Sequence, residues 1–241
     1  LGIVSYLALR EFFTLVPTHR ADRGAILWCY LIIPLQFYWI ATGWYSMAAI
    51  FIPVYVFLFL PVRQVIAGQT AEFVARTSRV AWGTMLFVYC LGHTAFLLAL
   101  GPVPGTAVGG RELLLFLAFL TALGDIGGWV FGKAFGSRRI VPSVSPNKTW
   151  AGFAGSVLLT SAAGVGMRFL TPFDVASAAL IGAGIGVAGF LGDVTVSAIK
   201  RDVGVKDSGT MIPGHGGLLD RIDSLTYTAP LFLHVVRYFY T

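Results

Sequence analysis

Charge is scarce in this sequence: Asp, Glu, Lys and Arg make up 12% of its 241 residues, and only 11 side chains are acidic. Soluble domains carry roughly a quarter, so a chain with 56% hydrophobic residues and 19 Phe is not built to face water over most of its surface. Cysteine is nearly missing too. Cys29 and Cys90 both fall in apolar runs with no metal-ligand spacing around them. That excludes a disulfide framework or a zinc module and leaves two buried small hydrophobes. Repeats, low-complexity linkers and a cleavable leader pattern are absent from the sequence. "GIGVAG" at Gly184–Gly189 has the letters of a dinucleotide fingerprint, but it lies mid-run with no preceding strand and no βαβ unit, so that function is rejected. Gly182 and Gly186 instead make a small-xxx-small face that lets helices approach closely in lipid. The chain reads as a single domain over 1–241. It opens at Leu1 inside an apolar run, from which a further N-terminal segment is expected.

What is present is long hydrophobic runs. Crossing the hydrocarbon core takes about 20 mostly apolar residues per helix. Runs at Leu1–Val16, Ala25–Thr42, Trp44–Val62, Val80–Gly101, Leu113–Phe131, Trp150–Leu170, Phe173–Ile199 and Asp220–Tyr240 predict an all-α, polytopic membrane protein of about eight spans. Pro34, Pro53 and Pro61 are expected to kink or end helices. Of the 17 Lys and Arg, only Arg111, Arg168 and Arg237 fall on one side of this layout and the remaining fourteen on the other. The positive-inside rule makes the richer side cytoplasmic, and both polar loops, Lys133–Thr149 and Lys200–Leu219, face it. The net +6 charge is thereby explained without a nucleic-acid partner.

Against this background the stretch "SAIKRDVGVKDSGTMIPGHGGLLDRIDS", Ser197–Ser224, is dense in charge. Ionisable groups at membrane depth are costly and mark function by default; Asp125 and Asp193 are the clearest. On a helix Asp193, Ser197 and Lys200 form one polar stripe at i, i+4 and i+7. Asp220 and Asp223 share a face at the start of the last run. Their bland reading is stabilisation by the helix dipole, which accounts for neither Asp193 nor the intervening loop. Three carboxylates converging from two helices suit a hard cation such as Mg²⁺, which takes oxygen ligands and substrate phosphates. Lys200, Arg201, Lys206 and Arg221 suit phosphoryl oxygens, and Gly216 and Gly217 offer bare backbone to a phosphate chain. His215 has two open readings, a group acting on the substrate or a structural loop histidine. His19, His93 and His234 have no constellation around them and read as structural.

These residues resemble the CDP-diacylglycerol synthase (phosphatidate cytidylyltransferase) family signature. The resemblance is carried by Ser197, Ile199, Lys200-Arg201, Lys206-Asp207, Gly209, Ile212-Pro213, "HGG" at 215–217 and "DRID" at 220–223. A second block resembles it too, with Asp125, Gly132, Phe135, Gly136, "SPNKTW" at 145–150, Gly152 and Gly155. The resemblance covers Gly124–Ser224 and implies transfer of CMP from CTP to phosphatidate, giving CDP-diacylglycerol and pyrophosphate. It further implies Mg²⁺ held by Asp193, Asp220 and Asp223, with K⁺ as a second cation, at the cytoplasmic face of the cell's inner (cytoplasmic) membrane. Lys200, Arg201, Lys206, Asp207, His215 and Arg221 would act on the reacting groups. Asp125, Ser145, Asn147, Lys148, Thr149, Ser197, Gly216 and Gly217 would bind substrate. Partners are then CTP, phosphatidate or a related phospholipid, the bilayer, and a second copy of the chain in a homodimer. The sequence departs from the pattern at Ala151 and Val196, where carboxylates are usual, and at Lys133, where Arg is; these bear on the choice of lipid. Two rivals remain: a CTP-dependent lipid kinase of the polyprenol type, which would release CDP, and a cation or phosphate transporter. A transporter would show broken helices in two similar halves, whereas the polar blocks here lie in the C-terminal half.

Overall fold

The computed structural model describes residues 1–68, 70–209 and 216–241, the side chain of Ala21 excepted. Among them no strand forms, and Arg139 and Thr149 make an isolated antiparallel bridge. Eight long helices account for most of the described chain: α1 (Gly2–Leu15), α2 (Arg23–Ala41), α3 (Tyr45–Ile66), α4 (Phe73–Ala99), α5 (Gly110–Phe135), α6 (Trp150–Gly166), α7 (Val175–Asp202) and α8 (Leu219–Tyr240). Each apolar run of the sequence lies on one of them.

Five of these, α2, α3, α4, α5 and α7, are long and apolar enough to cross a membrane, which marks a multi-pass membrane protein. The expected eight is a larger count, and the difference has physical reasons. A helix rises 1.5 Å per residue, and the hydrocarbon core is ~30 Å thick. The 17 residues of α6 reach about 25 Å. The last helix, α8, has the length but opens on Asp220, Arg221 and Asp223. The prolines do not end helices. Pro34 lies inside α2 and Pro61 inside α3, while Pro53 sits in a π-helical stretch, Phe51–Val56, where the regular ladder is already interrupted.

The chain divides into two compact units. The first comprises Leu1–Ala99 with Asp207–Leu219. Its most buried long helix is α4, whereas α3 is largely exposed. The outward face of α3 accordingly shows Tyr55, Leu58 and Ile66 to the surroundings. Phe12 of α1 lies against Gly83 of α4, where an added Cβ would fall 2.6 Å from the ring, and meets Phe87 at 5.5 Å. Buried Asp22 and Arg76 pair at 2.6 Å, and Asp22 also accepts from the His19 amide at 2.8 Å. Cys29 is buried and Cys90 half-buried, both free thiols as expected. His93 bonds the Tyr89 carbonyl one turn back, a structural role.

The second unit comprises Leu100–Lys206 with Asp220–Thr241. Here α5, α6 and α7 pack through small residues. A Cβ on Gly182 would stand 2.4 Å from the Thr160 carbonyl oxygen, and one on Gly186 3.0 Å from the Val157 Cα. The small-xxx-small face read from the sequence is therefore the α6–α7 contact. The backbone of α8 comes equally near α7: a Cβ on Gly192 would stand 2.6 Å from the Asp223 carbonyl oxygen. Phe116 of α5 stacks on Phe232 of α8 at 5.6 Å, with Phe173 edge-on to both. Asp174 caps α7 through the Ser177 amide at 2.9 Å, and hydrogen bonding from the Ser177 side chain and then its amide holds the Asp174 carboxyl below the usual carboxylate range.

Because backbone occupies the space beside Gly182, and the Thr160 hydroxyl together with the Val157 backbone that beside Gly186, Val at either should force α6 and α7 apart. We expect a loss of about 1–3 kcal/mol, the usual cost of overpacking, read as a lowered melting temperature in detergent. Gly184→Ala, whose Cβ would meet only Leu231 at 3.8 Å, should leave melting unchanged. Equal sensitivity at all three positions would contradict this packing.

Candidate active site

The polar residues of the second unit converge where α7 leaves the apolar region. On α7, Ser197 donates its hydroxyl to Asp193 one turn earlier, at 3.2 Å. Lys200, one turn further on, is buried and bonds Asp220 of α8 at 2.5 Å. The stripe expected from helical spacing is thus formed, and it spans two helices.

Between α5 and α6 the chain folds back as a narrow loop. The Ile140 amide donates to the Lys148 carbonyl at 2.9 Å and the Trp150 amide to the Arg138 carbonyl at 3.0 Å. Thr149 then caps α6, its buried hydroxyl oxygen accepting from the Gly152 amide at 3.2 Å. Gly136 closes the turn because a Cβ there would stand 2.1 Å from the Gly132 carbonyl oxygen. The loop so fixed presents Lys148, whose ammonium pairs with Asp193 and lies 5.1 Å over the Phe190 ring. Beneath it is a cavity of about 240 Å³ bounded by Asp125, Trp129, Ser145, Asn147, Lys148, Thr149, Phe153, Phe190 and Asp193.

Asp125 of α5 reaches this group from the third side and accepts from the Ser224 hydroxyl at 2.9 Å. Asp223, buried, accepts from the Ser224 amide at 2.8 Å and lies within electrostatic reach of Asp193, Asp125 and Lys200. Four carboxylates and two lysines therefore share one neighbourhood. Among the described residues, no three acidic, His or Cys side chains are grouped so as to hold a metal ion; Asp193 and Asp220 each face an ammonium instead. Chemically this is a bed of displaceable ion pairs. An incoming polyphosphate can take the ammoniums, freeing carboxylate oxygens for a hard cation that phosphate oxygens also ligate.

The match to known proteins follows this geometry. The sequence model of the Cytidylyltransferase family matches residues 1–239. The chain belongs to that family. It is 44% identical over 239 residues to the uncharacterized protein YnbB of Escherichia coli K12, covering 98% of this chain and 78% of that one. It is 41% identical over 142 residues to a phosphatidate cytidylyltransferase of Haemophilus influenzae, covering 54% of this chain and 46% of that protein. A Mycobacterium leprae phosphatidate cytidylyltransferase is 40% identical over 121 residues, 50% of this chain and 38% of the relative. The matched segments thus span less than half the length of these two phosphatidate cytidylyltransferases.

Of the residues expected at a cytidylyltransferase site, the structure brings together Asp125, Ser145, Asn147, Lys148, Thr149, Asp193, Ser197, Lys200, Asp220 and Asp223. Arg201 is exposed and spans two backbone carbonyls, Val144 at 3.0 Å and Val205 at 2.6 Å, tying the loop to the end of α7. Lys206 and Arg221 are exposed. Asp207, Gly216 and Gly217 belong to the first unit. His215 lies outside the described residues. Sequence reasoning missed Ser224 and the aromatic walls Trp129, Phe153 and Phe190. Ser224 meets Asp125 across 99 positions, a separation no spacing rule spans, and an aromatic wall looks in sequence like any other membrane-helix residue.

The Lys148–Asp193 pair should behave as a coupled unit in stability as well as in chemistry. Its side chains keep 15% and 33% exposure, so we expect a coupling of roughly 1 kcal/mol, nearer to exposed pairs than to fully buried ones. Thermal unfolding of Lys148→Met, Asp193→Asn and the double variant measures it. The double should lose less than the sum, and strict additivity would show that the pair is not formed.

Proposed function

We propose that this family member transfers CMP from CTP to phosphatidate at the cytoplasmic membrane interface. A phosphatidate oxygen would form a new bond to the α-phosphorus of CTP. The bond from that phosphorus to the bridging oxygen would break, and pyrophosphate would leave with the electron pair. Phosphatidate is ionised at neutral pH, so the barrier comes largely from negative charges meeting, and positioned cations act on it directly. The observation that carries this reading is the Lys148–Asp193 pair on the cavity wall, together with the family match over nearly the whole chain.

In this reading Lys148 and Lys200 leave their carboxylates to bind phosphoryl oxygens. Asp193 and Asp223, with Asp220, would hold Mg²⁺, which supplies charge neutralisation at the phosphates. The donor set fits a hard cation, since every candidate ligand is a carboxylate oxygen and two of the three are released when the lysines turn to substrate. The small cavity with Phe153, Phe190 and Asn147 suits a ring edge that needs both stacking and hydrogen bonds. No observation favours the kinase or the transporter.

The test is incubation of sealed membrane vesicles with α-labelled CTP, phosphatidate and Mg²⁺. Label should enter the lipid fraction, with matching pyrophosphate, when CTP reaches the cytoplasmic face, and not from the opposite face. Asp193→Asn and Asp223→Asn should each lower turnover about 10²–10³-fold, as deletion of one designed electrostatic contact does. Asp202→Asn, in an exposed position outside the cluster, should keep most activity. Label appearing only as water-soluble CDP would overturn the reading in favour of phosphoryl transfer.

A further inference from the structure

Glu11 is the lone acid of α1, set between Arg10 and Phe12 in an otherwise apolar helix, and it is only 6% exposed. Burying a carboxylate there is costly unless donors surround it. They do: among the described residues, Ser208, Leu218 and Leu219 of the segment that ends the first unit donate to it. Oε1 accepts from the Ser208 hydroxyl and from the Leu219 amide at 3.3 Å, and Oε2 from the Leu218 amide at 2.8 Å. Ser208 stands before residues 209–217 of the charged signature stretch, and Leu218 and Leu219 stand after them. One carboxylate thus ties the two flanks together.

The amides it binds are also special. Leu219 opens α8, and the first amides of a helix have no partner within it. A carboxylate at that position satisfies the first of them, that of Leu219, and matches the positive end of the helix dipole. Asp220, Arg221 and Asp223 follow within the next four residues, so their placement depends on where this helix begins. Gly217 belongs to the same device: a Cβ there would stand 1.9 Å from Glu11 Oε1 and 2.1 Å from Ser208 Oγ. Its missing side chain makes room for the Glu11 carboxylate, a sufficient reason for glycine without a phosphate contact.

We infer that Glu11 is a positioning residue for the transfer reaction, a clamp from α1 that sets the start of α8 and thereby the carboxylates of its first turns. The inference rests on the proposed cytidylyl transfer for its kinetic arm and on geometry alone for its structural arm. Gln at position 11 keeps the shape but offers one oxygen and an NH₂ to three donors, so at least one donor is left facing another.

The experiment uses the full chain in lipid nanodiscs, as wild type, Glu11→Gln, Gly217→Ala and the double variant, with activity counted per folded molecule. Glu11→Gln should lower kcat about 10²-fold, the effect of a roughly 1 Å misplacement of reacting groups, with KM for CTP changed less than about threefold. Gly217→Ala should do the same by evicting the carboxylate. The double variant should be no slower than the worse single, because both break one clamp. Hydrogen exchange at the amides of 218–222 should rise in each variant. A kcat within twofold of wild type for Glu11→Gln, or multiplicative losses in the double variant, would overturn the clamp. If the wild type transfers no cytidylyl group, the functional reading fails. The exchange arm then decides the clamp alone: unchanged protection sinks it and increased exchange supports it.

Discussion

Moving a lone carboxylate or ammonium from water into an apolar interior costs several kcal/mol even after relaxation, and mutual attraction repays this only in good geometry. In a chain with 12% charged residues that cost organises the fold. Several of the charges named above are met by partners from distant parts of the sequence: Asp22 by Arg76, Lys148 by Asp193, Lys200 by Asp220, and Glu11 by a hydroxyl and two amides. These contacts are compensations first. In the proposed function those in the second unit are also the means of chemistry, because an ion pair that exists only to satisfy its members can be exchanged for a ligand that satisfies both.

Close backbone packing makes the exchange geometry possible. Glycines on α6 and α7 bring main chain against main chain, and small side chains at helix contacts are how apolar helices associate without a hydrophobic drive between them. With α5, α6, α7 and α8 held this near, short side chains such as Asp and Ser can meet across helices, as Asp125 and Ser224 do. Bulkier helix faces would keep the carboxylates too far apart to share one neighbourhood.

Much of this was legible in the sequence, and what was not has identifiable causes. Hydrophobic run length placed all eight helices, because lipid imposes one length scale on every span. Five of the eight are long and apolar enough to cross a membrane, and run length alone cannot discount the charged opening of α8. Helical spacing placed Asp193, Ser197 and Lys200 on one face, since that relation is local. Gly182 and Gly186 were legible for the same reason. The partners Lys148, Ser224 and Glu11 were not, as each pairing joins positions far apart and depends on how helices cross. Thr149 shows a subtler limit. Its place in the motif suggested substrate contact; its hydroxyl oxygen also caps α6, a second use that the motif does not reveal, and the residue lines the cavity.

In the proposed function the lysine–carboxylate cluster is a nucleotide-phosphate site whose pairs open on binding. A structure of the protein with a non-hydrolysable CTP analogue and Mn²⁺, the metal located by its anomalous signal, tests it most directly. The account predicts Lys148 Nζ within hydrogen-bond distance of a phosphate oxygen and away from Asp193. It also predicts the metal beside Asp193 and Asp223 and the cytosine ring in the cavity between Phe153 and Phe190. Nucleotide bound elsewhere, or bound here with the Lys148–Asp193 pair still closed, would contradict it.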